Sequence, residues 1–156
     1  MSALPGTPRP GDAAPEITLP DAHGTPVSLT GLRGTPVALV FLPFAFSELC
    51  TSEVHELRDN LEDFESAGVR LHAVTCDTVF TLRAWAEREG LGFELLSDFW
   101  PHGSAARAFG VFDDGSGVAR RGSFLIDADG IVRWTVVSPP GRARDLGAYR
   151  AALAAL

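Results

Sequence analysis

The residues best suited to chemistry lie in one short stretch around Cys50. Ser47 precedes this cysteine by three residues, Pro43 by seven, and Glu53 follows it by three. The stretch follows an apolar run and enters a segment with helical periodicity, so Cys50 is predicted in the first turn of a helix. Free backbone N–H groups and the helix dipole favour the reactive thiolate there. We therefore predict a nucleophilic Cys50, with the Ser47 hydroxyl directed to the same point and Pro43 shielding the sulfur from water.

The elements before and after this stretch are predicted from turn residues and apolar periodicity. Residues 21–24 form a turn signal between two short β-type runs, which predicts an N-terminal β-hairpin. The apolar run 36–42 predicts a central strand that is buried on both faces. Apolar residues from Val54 to Phe64 recur at helical spacing, which predicts one amphipathic helix ending near Gly68.

The rest of the chain continues as alternating strands and helices. We predict a strand over 69–75, a helix from Thr78 to Glu89 stopped by Gly90, a short helix over 101–109, a hairpin around 127–130 and a last helix from Leu146. This order is typical of an α/β protein with a thioredoxin-like fold, in which helices flank a central mixed β-sheet. Residues 1–10 are expected to form a flexible tail and residues 11–156 a single domain.

The composition argues against several classes of protein. The formal net charge is −7, and all 13 basic residues are arginines, so a nucleic acid is a poor partner. No apolar run approaches the ~20 residues of a transmembrane helix, and no secretory signal is visible. We therefore expect a cytoplasmic protein without a membrane partner. The four histidines are scattered, and no Cys/His spacing typical of a zinc site occurs, so no metal is expected.

The stretch from Pro43 to Glu53 resembles the active-site pattern of the peroxiredoxin family, P-x-x-x-[T/S]-x-x-C. The resemblance extends to residues 11–15 and 32–34, which are similar to the segments that lead into the family's central strand. Residues 95–103 and 110–112 are similar to the one-cysteine alkyl hydroperoxide reductase E type of actinobacteria. The resemblance implies a thiol-dependent peroxidase with no cofactor.

The resemblance also implies an arginine that holds the thiolate and the departing peroxide oxygen. Arg121 is predicted for this role, because the segment that follows it is similar to the family segment carrying that arginine. Arg120 is the adjacent competitor, and neighbouring residues on a strand point to opposite faces. By the same resemblance, Glu53 would orient the arginine.

The implied reaction is attack of Cys50 on hydrogen peroxide, an organic hydroperoxide or peroxynitrite, giving a sulfenic acid that an external thiol reduces. Mycothiol with mycoredoxin, or a thioredoxin-like protein, is the implied reductant, and a homodimer or larger homo-oligomer the expected assembly. The sequence allows two roles for four aromatic residues near the site: they line an apolar mouth that accepts organic hydroperoxides, or they form a subunit contact. These residues are Phe44, Phe46, Phe99 and Trp100.

Three alternatives remain at this point. Cys76 ends a strand predicted to lie parallel to the central one, so it is a possible resolving residue in a two-cysteine cycle, although burial as a structural cysteine is favoured. A redox-sensing or holdase-type interaction protein would use the same Cys50. A disulfide reductase is disfavoured because the chain has no C-x-x-C motif.

Overall fold

The central feature of the computed structural model, which describes residues 6–156, is a five-stranded mixed β-sheet. The strands are β1 (Thr18–Pro20), β2 (Pro26–Ser28), β3 (Val37–Phe41), β4 (Arg70–Thr75), β5 (Glu94–Ser97), β6 (Phe112–Asp113), β7 (Val118–Ala119), β8 (Arg121–Ile126) and β9 (Val132–Ser138). The helices are α1 (Glu48–Asp59), α2 (Leu61–Ser66), α3 (Val79–Glu89), α4 (Ser104–Ala108) and α5 (Leu146–Ala154). The sheet order is β5-β4-β3-β8-β9, with β3, β4 and β5 parallel and β8 antiparallel to both of its neighbours. This architecture confirms the predicted thioredoxin-like fold.

Strand β3 lies in the middle of the sheet and is buried along its whole length, as its apolar run predicts. Its alternate side chains enter two different apolar clusters. Val40 packs into a cluster with residues of α1, α2, α3 and α5, whereas Phe41 packs into a second cluster with α4 and the β1–β2 hairpin. The antiparallel pairing of β1 and β2 confirms the predicted N-terminal hairpin.

Local signals fix both ends of α3. The Thr78 side chain accepts a hydrogen bond from the Thr81 backbone N–H, which satisfies one of the free donors at the helix start. Gly90 ends the helix in the left-handed region, with φ of 62°, where a side chain is disfavoured. Both predicted boundaries are confirmed.

The single helix predicted through Phe64 is wrong, because the chain breaks at Asn60 into α1 and α2. The Asn60 side-chain amide and its backbone N–H both donate to the Glu56 carbonyl oxygen. The backbone bond belongs to the regular helical pattern, whereas the side-chain bond competes with continued helix formation. The apolar periodicity persists across the break because both pieces pack on the same cluster.

The helix predicted over 101–109 is also shorter than expected, since α4 spans only Ser104–Ala108. Gly103 adopts a left-handed conformation with φ of 72°, so the helix cannot extend back towards Pro101. The buried Asp98 carboxylate accepts hydrogen bonds from the backbone N–H groups of Ala105 and Ala106. This side chain therefore fixes where α4 begins.

The predicted tail over residues 1–10 is described only from residue 6, and residues 1–5 lie outside the described part. Thr7 is buried, and its hydroxyl donates to the Gly110 carbonyl oxygen at 3.5 Å. The Gly11 backbone N–H donates to the Val132 carbonyl oxygen at 2.8 Å. Residues 7–11 thus lie against the domain.

No helix within residues 6–156 is long and apolar enough to cross a bilayer.

Candidate active site

Cys50 lies in the first turn of α1 and has no exposed surface. Ser47 is the N-cap of this helix, and its hydroxyl oxygen accepts a hydrogen bond from the Cys50 backbone N–H at 3.3 Å. The same hydroxyl donates to the Phe44 carbonyl oxygen at 3.2 Å. Ser47 is therefore held beside Cys50 by the local fold, and its oxygen retains a second lone pair.

Strand β8 brings Arg121 to the sulfur. The Arg121 side chain is buried, and its Nη2 donates to Cys50 Sγ at 3.4 Å. Its Nη1 donates to Glu53 Oε1, one helical turn beyond Cys50. Arg120 instead lies at the surface, 38% exposed, with its Nη2 at 3.4 Å from Asp113 Oδ1. The alternation of the chain thus places Arg121, and not its neighbour, at the candidate nucleophile.

A second buried arginine, Arg144, completes the site and was not anticipated from the sequence. Its backbone N–H and Nε each donate to Glu53 Oε2 at 3.0 Å, and Nη2 donates to Glu53 Oε1 at 3.0 Å. It lies in the loop between β9 and α5, far from Cys50 in sequence, and no periodic pattern marks it. The only signal in the sequence is that two arginines, Arg142 and Arg144, stand two positions apart in this loop.

The two arginines keep the Glu53 carboxyl ionised. Burial raises the pKa of Glu53, but hydrogen bonds and charge from Arg144, together with the charge of Arg121, outweigh it and leave the pKa below its ordinary value. The buried group therefore contains one carboxylate and two guanidinium groups beside the Cys50 thiol. Two cationic groups and one anionic group thus lie next to the sulfur.

An open groove of about 450 Å³ leads to these residues. Pro43, Ser47 and Arg121 line its inner part, while Cys50 lies behind them. Most of the remaining lining is apolar and comes from the loop after β3, the start of α1, β7, the end of β9 and the residues that follow it: Phe44, Leu49, Val118, Ala119, Val137, Pro139 and Pro140. The groove can therefore admit a small polar head to the site while holding an apolar substituent.

Residues 10–135 of the chain match the AhpC/TSA family. The chain belongs to this family. It is 43% identical over 147 residues to alkyl hydroperoxide reductase E of Mycobacterium tuberculosis, covering 94% of this chain and 96% of the relative. It is 38% identical over 126 residues to peroxiredoxin Bcp of Escherichia coli, covering 77% of this chain and 80% of the relative. These likenesses confirm the resemblance to peroxiredoxins, including the alkyl hydroperoxide reductase E type.

Solved structures of a peroxidoxin and of an AhpC share the fold. The crystal structure of peroxidoxin BcpB from Mycobacterium tuberculosis superposes with a TM-score of 0.85 at 31% identity, covering 96% of this chain and 98% of that one. AhpC from Enterococcus faecalis gives a TM-score of 0.86 at 25% identity, covering 96% and 92%. The chain is thus a peroxiredoxin, a thiol-dependent peroxidase and an oxidoreductase, with a thioredoxin-like fold.

The second cysteine of this peroxiredoxin lies in different surroundings. Cys50 packs in the apolar cluster with α1 and α3, whereas Cys76 interacts with the backbone of Ala119, which belongs to the cluster on the other face of the sheet. Burial, and then the charges of Asp98 and Asp77, raise the pKa of the Cys76 thiol to about 12. No disulfide joins the two cysteines among the described residues. Both are free thiols.

Trp85 lies beside the helix that carries the nucleophile. Its Nε1 donates to Thr51 Oγ1 at 3.3 Å, one residue after Cys50, and its ring centroid is 6.3 Å from that of Phe46. Phe46 has a φ of 68°, which is uncommon for a residue with a side chain.

Among residues 6–156, no group of three or more His, Cys, Asp or Glu side chains is arranged to hold a metal ion.

Proposed function

We propose that Cys50 is the peroxide-reacting residue of this peroxiredoxin and that Ser47, Pro43 and Arg121 assist it. The observation that carries this proposal is the Arg121 Nη2 hydrogen bond to Cys50 Sγ at 3.4 Å, in the first turn of α1. A guanidinium fixed at this point bonds the thiolate and, in the transition state, an adjacent peroxide oxygen. Glu53 orients this arginine.

In the proposed reaction, the Cys50 thiolate attacks one oxygen of the peroxide. A sulfur–oxygen bond forms, the oxygen–oxygen bond breaks, and its electron pair leaves on the second oxygen, which takes up a proton as water or alcohol. The product is a Cys50 sulfenic acid. One thiol then displaces water to form a mixed disulfide, and a second thiol releases Cys50 and carries away the oxidised disulfide.

The groove supports organic hydroperoxides as substrates, together with hydrogen peroxide and peroxynitrite. Its inner end presents Ser47 and Arg121 to the reacting oxygens, and its outer walls are formed largely by apolar residues. An apolar substituent would be removed from water there, which favours binding by roughly 25 cal/mol per Å² of buried apolar surface. The activity named for the Mycobacterium tuberculosis relative, reduction of an alkyl hydroperoxide, fits the same groove.

We propose a one-cysteine cycle with an external thiol as reductant. The burial of Cys76 and the pKa of its thiol, which is raised to about 12, support this cycle over resolution by Cys76. Mycothiol with mycoredoxin, or a thioredoxin-like protein, supplies the electrons. A reducing thiol pool of this kind fits a cytoplasmic location.

We also propose that the chain forms a homodimer through an exposed aromatic surface. The aromatic surface consists of the following residues, with their exposed fractions: Phe44 (49%), Phe46 (44%), Phe80 (75%), Phe99 (46%) and Trp100 (77%). They follow β3, β4 and β5, whose carboxyl ends meet at one edge of the sheet. Asp77 ties these loops together, because its carboxylate accepts from the Ala45 N–H and its carbonyl oxygen accepts from the Ser97 hydroxyl.

The size of the aromatic surface favours a second copy of the chain as its occupant. Side chains of this type bury ~150–250 Å² each, so the five offer roughly 600 Å² per chain at their observed exposure. A standard interface takes about 800 Å² from each partner, which leaves room for a polar rim. Sedimentation velocity should show a dimer, and Phe80→Glu with Trp100→Glu should give a monomer. Leu156→Glu, at an exposed site elsewhere, should leave the dimer intact; a monomeric wild type contradicts the proposal.

Stopped-flow tryptophan fluorescence of the reduced protein with stoichiometric peroxide tests the central proposal. Wild type and Cys76→Ser should be oxidised rapidly and gain one oxygen by intact mass, whereas Cys50→Ser should show no rapid phase. A loss of two hydrogens that Cys76→Ser abolishes would establish a two-cysteine cycle instead. Oxidation no faster than that of free cysteine would overturn the assignment of Cys50, and oxidation without turnover on any thiol would favour a redox sensor.

A further inference from the structure

Arg144 is buried beside Cys50, yet it has no role in the reaction proposed for Cys50, Ser47 and Arg121. Its side chain is 2% exposed, and it binds both carboxylate oxygens of Glu53 through Nε and Nη2. Its own backbone N–H adds a third hydrogen bond to the same carboxylate. Glu53 is thereby held by three hydrogen bonds from Arg144 in addition to the one from Arg121.

The remaining nitrogen of Arg144 ties the guanidinium to the two strands that flank the site. Nη1 donates to the Phe41 carbonyl oxygen at 2.7 Å, to the Gly122 carbonyl oxygen at 3.1 Å and to Ser123 Oγ at 3.2 Å. Phe41 ends β3, just before the loop that leads to Cys50, and Gly122 follows Arg121 on β8. Arg144 is therefore held by backbone atoms, and it transmits this rigidity to Glu53.

The hydrogen bonds between Arg144 and Glu53 determine whether Arg121 can also bond the Cys50 sulfur. Because Arg144 takes up both carboxylate oxygens, Arg121 bonds Glu53 through Nη1 alone and keeps Nη2 for the sulfur. A guanidinium beside an unoccupied carboxylate tends to bind it through two parallel N–H groups. Without Arg144, Arg121 would turn towards Glu53, and its hydrogen bond to Cys50 would be lost.

Arg144 also balances the charge of the buried group. The titratable groups that surround Cys50 are Glu53 from α1, Arg121 from β8, and Arg144 and Tyr149 from the C-terminal segment. Burial raises the pKa of Tyr149, so its phenol stays neutral. The two arginines, Glu53 and a Cys50 thiolate sum to zero charge. Removing Arg144 would leave one uncompensated negative charge in a buried site, which is strongly unfavourable.

We propose that Arg144 is a positioning residue for peroxide reduction: it directs Arg121 to Cys50 through Glu53, and its charge balances the thiolate. This inference rests on the proposed role of Cys50. It assigns no contact between Arg144 and the peroxide. Arg144 acts through Glu53 and Arg121 alone.

The test compares Arg144→Gln, Arg144→Lys and the double variant Glu53→Gln/Arg144→Gln. Oxidation by hydrogen peroxide is measured by stopped flow, and alkylation by iodoacetamide is followed at Cys50 by peptide mass spectrometry. Arg144→Gln should lose about 10- to 100-fold in both rates, because one charged hydrogen bond to the sulfur and one balancing charge are lost. Arg144→Lys, which keeps the charge, should lose about fivefold.

The double variant separates charge balance from a merely structural role. It removes one negative and one positive charge, so a thiolate beside Arg121 is again balanced, and alkylation should recover to within about threefold of wild type. A structural role predicts that the second substitution adds to the first loss. Arg142→Gln, which removes the same charge from an exposed position on the same loop, is the matched control and should change neither rate.

Two results would overturn the inference: Arg144→Gln reacting within about threefold of wild type, or a double variant no faster than Arg144→Gln. Near-UV circular dichroism establishes which variants fold. If Arg144→Gln does not, Arg144→Lys decides, because a loss under about twofold would contradict the role. The alkylation assay needs no peroxide. A wild type that peroxide oxidises slowly would therefore end the proposed function, while the effect of Arg144 on Cys50 would still be measured.

Discussion

Replacing Arg121 with methionine should slow the oxidation of Cys50 without unfolding the protein. The substitution removes the Nη2 hydrogen bond to Cys50 Sγ and one of the contacts to Glu53. Glu53 keeps its three hydrogen bonds from Arg144, so its buried carboxylate is not left without partners. The unbranched methionine side chain fills much of the volume of the arginine stem. We therefore expect a folded protein with a defect confined to the chemistry.

The size of the defect follows from the lost hydrogen bond. A hydrogen bond to a charged group contributes about 1.5–3 kcal/mol, and each ~1.4 kcal/mol changes a rate tenfold. If Arg121 stabilises the transition state to this extent, Arg121→Met should reduce the second-order rate constant for hydrogen peroxide by about 10- to 150-fold. Arg121→Lys retains the charge but not the planar fork of the guanidinium. Its rate constant should therefore lie between those of the wild type and Arg121→Met.

The assay is stopped-flow fluorescence under excess peroxide, read through Trp85, whose indole bonds Thr51 next to Cys50. Arg120→Met provides the matched control, because it makes the same change one residue earlier, where the side chain lies at the rim beside Asp113. A rate for Arg121→Met within about threefold of wild type would refute the reasoning. An equal loss in Arg120→Met would refute it as well, since the effect would then follow the net charge and not the contact.

Three further outcomes follow from the structure. Because burial raises the pKa of Cys76 to about 12, iodoacetamide at pH 8 should leave Cys76 unmodified in the native protein and modify it after unfolding in guanidinium, as peptide mass spectrometry will show. Burial also lowers the pKa of His72 from 6.5 to about 4, so the unfolded chain binds a proton that the folded one excludes. Stability should therefore fall by about 3 kcal/mol as the pH drops from 6.5 to 4, and His72→Leu should remove most of this loss in thermal unfolding. Finally, a Cβ on Gly110 would lie 2.7 Å from the Gly6 carbonyl carbon, so Gly110→Ala should lower the melting temperature by several degrees more than Gly24→Ala, which shares a positive φ but meets no atom.

The parts of the fold that the sequence predicts are those with a local cause. The β3 strand follows from a continuous apolar run, and the start and end of α3 follow from a capping threonine and a left-handed glycine. The placement of Cys50 in the first turn of α1 has the same origin, because strand, loop and helix signals follow one another directly. Sequence alone therefore locates the candidate nucleophile well.

The features that the sequence does not predict depend on distant contacts or on a single side chain. The break at Asn60 comes from one amide bonding its own helix, which leaves the apolar periodicity unchanged. The short hairpin of β6 and β7 has only two residues in each strand, too few for a periodic signal. Arg144 reaches Glu53 across 91 positions of sequence, from a loop rich in Pro and Gly that resembles an ordinary surface connection.

The complete burial of Cys50 gives the two halves of the catalytic cycle unequal steric demands. A peroxide brings only two oxygen atoms to the sulfur, and Pro43 and Arg121 line the inner end of the groove by which it would arrive. A reducing thiol must bring its own sulfur and the carbon chain behind it into line with the Cys50–oxygen bond, which requires the Pro43–Ser47 loop to move aside. We therefore expect oxidation to be limited by chemistry and reduction to depend on the opening of this loop, so solvent viscosity should slow the second half and spare the first.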